Sequence, residues 1–185
     1  MILQGLWLLA RGQRAGIKQF GNSYDAFTAS LAPLIAFPLV GGVLSVLSGD
    51  WQSGIIGFLA RFCAVLALPL IVHAFARRTG REALWLRTAT ALDWSFWLLV
   101  PMLFIAAVAG AVLVELGLPM TLAEQAAFAL IAAYLLWLHW FIMRCGLELR
   151  VAPALLLVAL SSFAIGVLTM GPVLIDLATG GHLHG

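Results

Sequence analysis

Five long apolar runs limit what this chain can fold into. They cover about residues 26–47, 54–75, 94–114, 126–143 and 152–174, and each is close to the length a helix needs to cross a bilayer, about 20 residues. Only short polar connections separate them. The expected fold is all-α, an integral membrane bundle of five transmembrane helices occupying residues 21–178. Composition supports lipid as the solvent. Of the 185 residues, 63% are hydrophobic and 10% charged, where a soluble domain carries about 25% charged residues. A mean hydropathy of +1.07 leaves no polar shell for a globule of this size.

The ends differ from the spans. Residues 1–20 are too short in apolar length to cross. Ile2, Leu3, Leu6, Leu9 and Ala10 recur at helical spacing, and Arg11, Arg14 and Lys18 follow at intervals of three and four. That pattern predicts an N-terminal interfacial amphipathic helix on an anionic membrane surface. No charged region precedes Ile2 and no small-residue cleavage site follows promptly, so the first hydrophobic helix is expected to be retained. Residues 179–185, with His182 and His184, read as a flexible tail.

Local signals mark the helix ends. Asn22 or Ser23 is placed to cap the first span, with Asp25 in its positive first turn. Thr121 and Glu124 have capping-box spacing at the start of the fourth. Pro33 and Pro38 are expected to bend the first span, while Gly41 and Gly42 offer a close helix approach. Gly54 and Gly57 do the same in the second span. Ala106, Ala107, Ala109, Gly110 and Ala111 make one part of the third span narrow and suited to tight packing. Glu82 to Ala91 is expected to begin a helix at the interface, with Asp93 and Trp94 opening the third span.

Charge is sorted by position. Nine of the ten basic residues fall in the N-terminal segment, the 76–93 connector and the 144–150 turn, all on one side of five spans. The connector alone carries Arg77, Arg78, Arg81 and Arg87. The other side holds Asp50, Glu115, Glu124 and Asp176 and no lysine or arginine. The positive-inside rule then places the N-terminus in the cytoplasm and the C-terminus outside, in a bacterial inner membrane. Six of the seven tryptophans also lie toward the basic side.

Few residues carry candidate chemistry. Arg61 is the one clear intramembrane charge, at a cost of about 2.5–3.5 kcal/mol at mid-membrane. It either faces the bundle interior and meets an anion, or snorkels to the outer interface. Glu124 and Asp176 match its depth better than Asp93, which enters from the opposite side. His73 and His139 sit at similar depth near the basic ends of their helices, a pair suited to proton relay or metal binding but lacking a third ligand. Cys63 and Cys145 read as packing residues. Arg11, Arg14, Lys18, Arg77, Arg78, Arg81 and Arg87 form a surface for anionic lipid or an acidic partner. No Walker loop, H-E-x-x-H, G-x-S-x-G or paired-carboxylate site is present, so neither an enzyme activity, a cofactor, a metal nor nucleic-acid binding is expected.

The layout has a family likeness. A short amphipathic beginning, five closely spaced spans, proline-bearing helices, the segment FGNSYDAFTASLAPL from Phe20 to Leu34 and the Asp93-Trp94 pair together resemble small bacterial membrane proteins of the Yip1-like class. The resemblance covers most of the chain. It implies a five-helix membrane protein without enzyme activity, of a class linked in eukaryotes to membrane trafficking and partner recruitment. The leading expectation is an accessory protein that packs against another membrane protein or organises lipid. The alternative is an oligomeric transporter or channel subunit with Arg61 on an anion path.

Overall fold

The computed structural model describes residues 2–49 and 51–178, and those residues are helical with no strand. Seven α-helices follow in order: α1 (Ile2–Ala10), α2 (Tyr24–Leu47), α3 (Trp51–Arg78), α4 (Trp85–Ser95), α5 (Leu99–Glu115), α6 (Met120–Gly146) and α7 (Val151–Ala178). Short 3-10 turns join α1 to α2, lead into α4, and link α4 to α5. Five segments are long and apolar enough to cross a membrane: Tyr24–Leu47, Gly54–Arg78, Glu82–Glu115, Met120–Gly146 and Val151–Gly171. Five segments of crossing length are therefore present, as expected; α2, α3, α6 and α7 run past their apolar stretches, while α5, at 17 residues, is shorter than the 94–114 run. The tail at 179–185 lies outside the described residues.

Helix ends follow local chemistry with one exception. Ser23 Oγ accepts from the Ala26 amide at 3.2 Å, and Asp25 sits in the first turn of α2. At the other end of α3, Gly80 adopts a φ of +69°, which lets the Arg81 amide reach the Ala76 carbonyl at 2.7 Å and closes the helix. The capping box at Thr121 is not formed. Pro119 takes the cap position of α6, with no side-chain cap bond, and its carbonyl receives the Leu122 and Ala123 amides. Proline preset the backbone one turn earlier, so Thr121 is already inside the helix.

Packing divides the molecule into two unlike halves. In space the long helices run in the order α2, α3, α7, α6, α5, each against the next. At the basic end α4 lies across this row and packs against α2, α3 and α6. The buried core collects there. It comprises Leu6 and Leu9 of α1, Ile17 and Phe20, then Leu68, Val72 and Ala76 of α3. Ala91 and Leu92 of α4, Leu138, Phe141, Ile142 and Met143 of α6, Leu147 and Leu149 of the following turn, and Ala154, Leu157 and Val158 of α7 complete it. The acidic end has no comparable core. Only 6% of the most apolar window of the Glu82–Glu115 segment is buried inside the protein.

The N-terminal segment departs from expectation. Gly12, with a φ of +70°, ends α1 and turns the chain back, so Arg11, Arg14 and Lys18 do not share one helical face. Leu6 and Leu9 pack into the protein core rather than lying free for lipid. Trp7 and Leu3 remain exposed on the other side. Tyr134 Oη donates to the Ala10 carbonyl at 3.0 Å and holds the end of α1 against α6. An apolar helical stripe reads the same whether protein or lipid covers it, and here protein covers the Leu6–Leu9 side.

The connector is also inside the protein. Thr88, Thr90, Asp93 and Ser95 of α4 are all buried, so this helix is a tie across the bundle rather than a ribbon on its surface. It can lie close to α6 because Gly146 has no side chain: a Cβ there would stand 2.8 Å from Thr88 Cγ2 and 3.0 Å from Thr88 Cβ. Gly42 and Gly54 make a second close approach, between α2 and α3, where a Cβ on Gly54 would meet Ser45 Cβ at 3.0 Å and the Gly42 carbonyl at 3.1 Å.

Candidate functional site

Polar side chains fix the connector to the first two spans. Asn22 uses both ends of its amide: Nδ2 donates to the Ala83 carbonyl at 3.2 Å, and Oδ1 accepts from the Arg87 amide at 3.1 Å. His73 Nε2 lies 3.2 Å from Glu82 Oε1, and its ring stands 4.8 Å from that of Trp85. Trp85 in turn meets Phe27 edge-on at 5.2 Å. Deeper, the Ser30 hydroxyl lies 2.9 Å from Asp93 Oδ2 and 2.6 Å from the Phe27 carbonyl. Both Ser30 and Asp93 are 1% exposed. Asp93 is thus an interior residue of α4 bound to α2.

Arg61 has a different setting. Arg61 is exposed. Its Nη1 would lie 3.3 Å from a Cβ on Gly57, so the side chain runs back one turn toward the acidic end. Gly57 therefore makes room for the arginine rather than for another helix. Among the described residues the one ion pair is His73–Glu82, so neither Asp93 nor Glu124 is within salt-bridge distance of Arg61. By spacing, Arg61 shares a face of α3 with Ala64, Leu68 and Val72, which are buried at the basic end. The same face opens where Arg61 stands. The side chain of Asp176 lies outside the described residues.

The acidic end presents a groove between α5 and α6 of about 550 Å3. Ala106, Ala107, Gly110 and Ala111 form one wall, and Ala123, Ala127 and Ile131 face them. Glu115 and Glu124 stand at its rim. The small-residue face of α5 was expected to pack tightly. Instead, a Cβ on Gly110 would find no atom within 4 Å.

The remaining candidates separate. His139 lies against Phe96, with ring centroids 5.8 Å apart, while His73 belongs to the Glu82–Trp85 cluster. The two imidazoles have different partners and form no pair. No group of three metal-ligating side chains exists among the described residues. Both cysteines are free, and Cys63 is exposed, contrary to the packing role expected of it. Arg144 stacks over Trp140 at 5.2 Å and Arg11 over Trp7 at 5.7 Å. The Arg87 Nε is buried without a partner. Sequence reasoning overlooked the Ser30–Asp93 bond and the second role of Asn22. The one signal for the former was the rarity of a carboxyl beside an apolar run. Comparison with protein families, curated proteins and solved structures finds no match to this chain.

Proposed function

We propose that this chain is a non-enzymatic, multi-pass inner-membrane protein that packs against a second membrane protein through its acidic half. The basic end, with the N-terminus, faces the cytoplasm, and the C-terminus lies outside. The groove between α5 and α6 carries this reading. Its alanines and Gly110 leave about 550 Å3 unfilled within the chain, in the range of volumes that bind ligands or side chains, about 300–1,000 Å3. Small residues in a membrane are where a foreign helix approaches closely, because packing rather than hydrophobicity drives association there. The five-span layout and its similarity to the Yip1-like class, known for partner recruitment, point the same way.

Gly110→Leu tests it. The added side chain has free space in the monomer, so thermal stability in detergent should stay within about 1 kcal/mol of the parent. Tagged protein purified from its native membrane in mild detergent should bring down a stoichiometric second membrane protein, and Gly110→Leu should lose it. A homo-oligomer with no partner, equally formed by the variant, would sink the reading.

Arg61 carries a second reading, an oligomeric transporter subunit. It is an exposed charge on a helix face that is buried one turn further on. Protein reconstituted in vesicles should then pass a small anion, and Arg61→Leu should lower the flux by about tenfold or more. Flux that is absent, or unchanged in the variant, removes this reading.

A further inference from the structure

We propose that the pocket at the basic end of α3 holds the phosphate of one anionic phospholipid headgroup. It is an open surface hollow of about 450 Å3 lined by His73, Ala74, Arg77 and Arg78, all of α3. The proposal rests on the reading of α3 as a membrane span. At 28 residues, α3 measures about 42 Å, longer than a hydrocarbon core of about 30 Å. Its last turns therefore stand at headgroup level.

The pocket has the chemistry of a phosphodiester site. Residues four apart on a helix lie over one another, so Arg77 stands over His73 and Arg78 over Ala74. Both arginines are exposed, and no carboxylate lies within 4 Å of either among the described residues. Two exposed guanidinium groups on neighbouring rows set a positive potential over the hollow they both line. A phosphate with two free oxygens accepts from both in the forked geometry that arginine offers and lysine does not. Ala74, in the row of Arg78, leaves the hollow beside that arginine unfilled. Glu82, the nearest acid, is already spent on His73 at 3.2 Å, and Trp85 braces that imidazole from the other side. Complementing the helix dipole would explain cations at this end, but not an open cavity between them.

The test uses the full chain reconstituted in a bilayer of equal parts phosphatidylcholine and phosphatidylglycerol, then released into mild detergent for native mass spectrometry. One phosphatidylglycerol per chain should be retained. Arg77→Gln/Arg78→Gln should reduce that retention by about tenfold or more. Ala74→Phe, which fills the pocket and leaves the charge alone, should do the same if the pocket is the site. Arg144→Gln/Arg150→Gln removes equal charge at the same end, outside the basic surface named above, and should keep the lipid. Equal loss in both double variants would mean diffuse attraction and overturn the proposal. So would equal retention of the two lipids by the parent. Excess glycerol 3-phosphate should fail to displace the lipid; displacement would assign the pocket to a soluble phosphate. A chain that does not insert at all would instead refute the spanning reading, which these lipid ratios do not address.

Discussion

Gly146→Val should be among the most destabilising single substitutions in this protein. The Gly146 Cα faces Thr88 of α4, and a Cβ there would overlap the Thr88 hydroxyl and stand 2.8 Å from its methyl. Neither partner has room to yield. Thr88 is fully buried, and its hydroxyl donates to the Leu84 carbonyl at 2.8 Å, which fixes its rotamer. Relief requires α4 to move off α6, and α4 also packs against α2 and α3. Overpacking of this kind costs about 3 kcal/mol. In a thermal scan of detergent-solubilised protein, the variant should aggregate well below the parent. Gly146→Ala should be milder. Combined with Thr88→Ala it should recover much of the loss, because only the 3.0 Å approach between the two Cβ atoms then remains. A Gly146→Val protein with parental melting would show that α4 is not clamped to α6.

Ser30→Ala should be costly for a change of one atom. The hydroxyl is a donor within reach of the buried Asp93 carboxyl, 2.9 Å away. Removing it leaves that carboxyl deprived of the bond, and an unsatisfied buried polar group costs about 1–3 kcal/mol, more when charged. The opposite change is expected to be gentler. Asp93→Asn keeps the shape and an acceptor for Ser30, and a neutral amide is cheaper to bury, so its effect should stay below about 1 kcal/mol. The two effects should not add: Asp93→Asn in the Ser30→Ala background should be less harmful than Ser30→Ala alone. A double-mutant cycle measured by melting would report the coupling. Strict additivity would mean that the two side chains do not depend on each other.

Much of the fold was legible because hydropathy and length are read directly from the chain. Five runs of membrane length became five helical segments long and apolar enough to cross, and Ser23 capped α2 as its type and place suggested. What stayed hidden shares a cause. Leu6 and Leu9 show an apolar stripe, but a stripe does not state whether lipid or protein will cover it. Thr88, Thr90, Asp93 and Ser95 look like the polar residues of a surface connector, yet they are buried against neighbouring helices. Thr121 had capping chemistry, and Pro119 claimed the position first. Arg61 announced itself by rarity, but its use of Gly57 as a channel for its own side chain depends on an i−4 geometry that no composition reveals. The groove between α5 and α6 was half legible. The small residues were evident, while their lack of a partner within the chain is a property of the tertiary arrangement.

The tie made by α4 gives the bundle a mechanical character. The α2–α3 and α5–α6 hairpins, braced by α4 at one end, behave as levers about that joint. Over an arm of about 30 Å, a tilt of about 5° at the tied end displaces the far tip by about 2.5 Å. The tied end resists such motion because its contacts are buried, while the free end has little core to break. Hydrophobic mismatch supplies fractions of a kcal/mol per Å of bilayer thickness, small against a packed core yet sufficient where no core exists. A change in bilayer thickness is therefore expected to act first at the acidic end, moving the α2–α3 and α5–α6 hairpins as units while the cross-brace holds its shape.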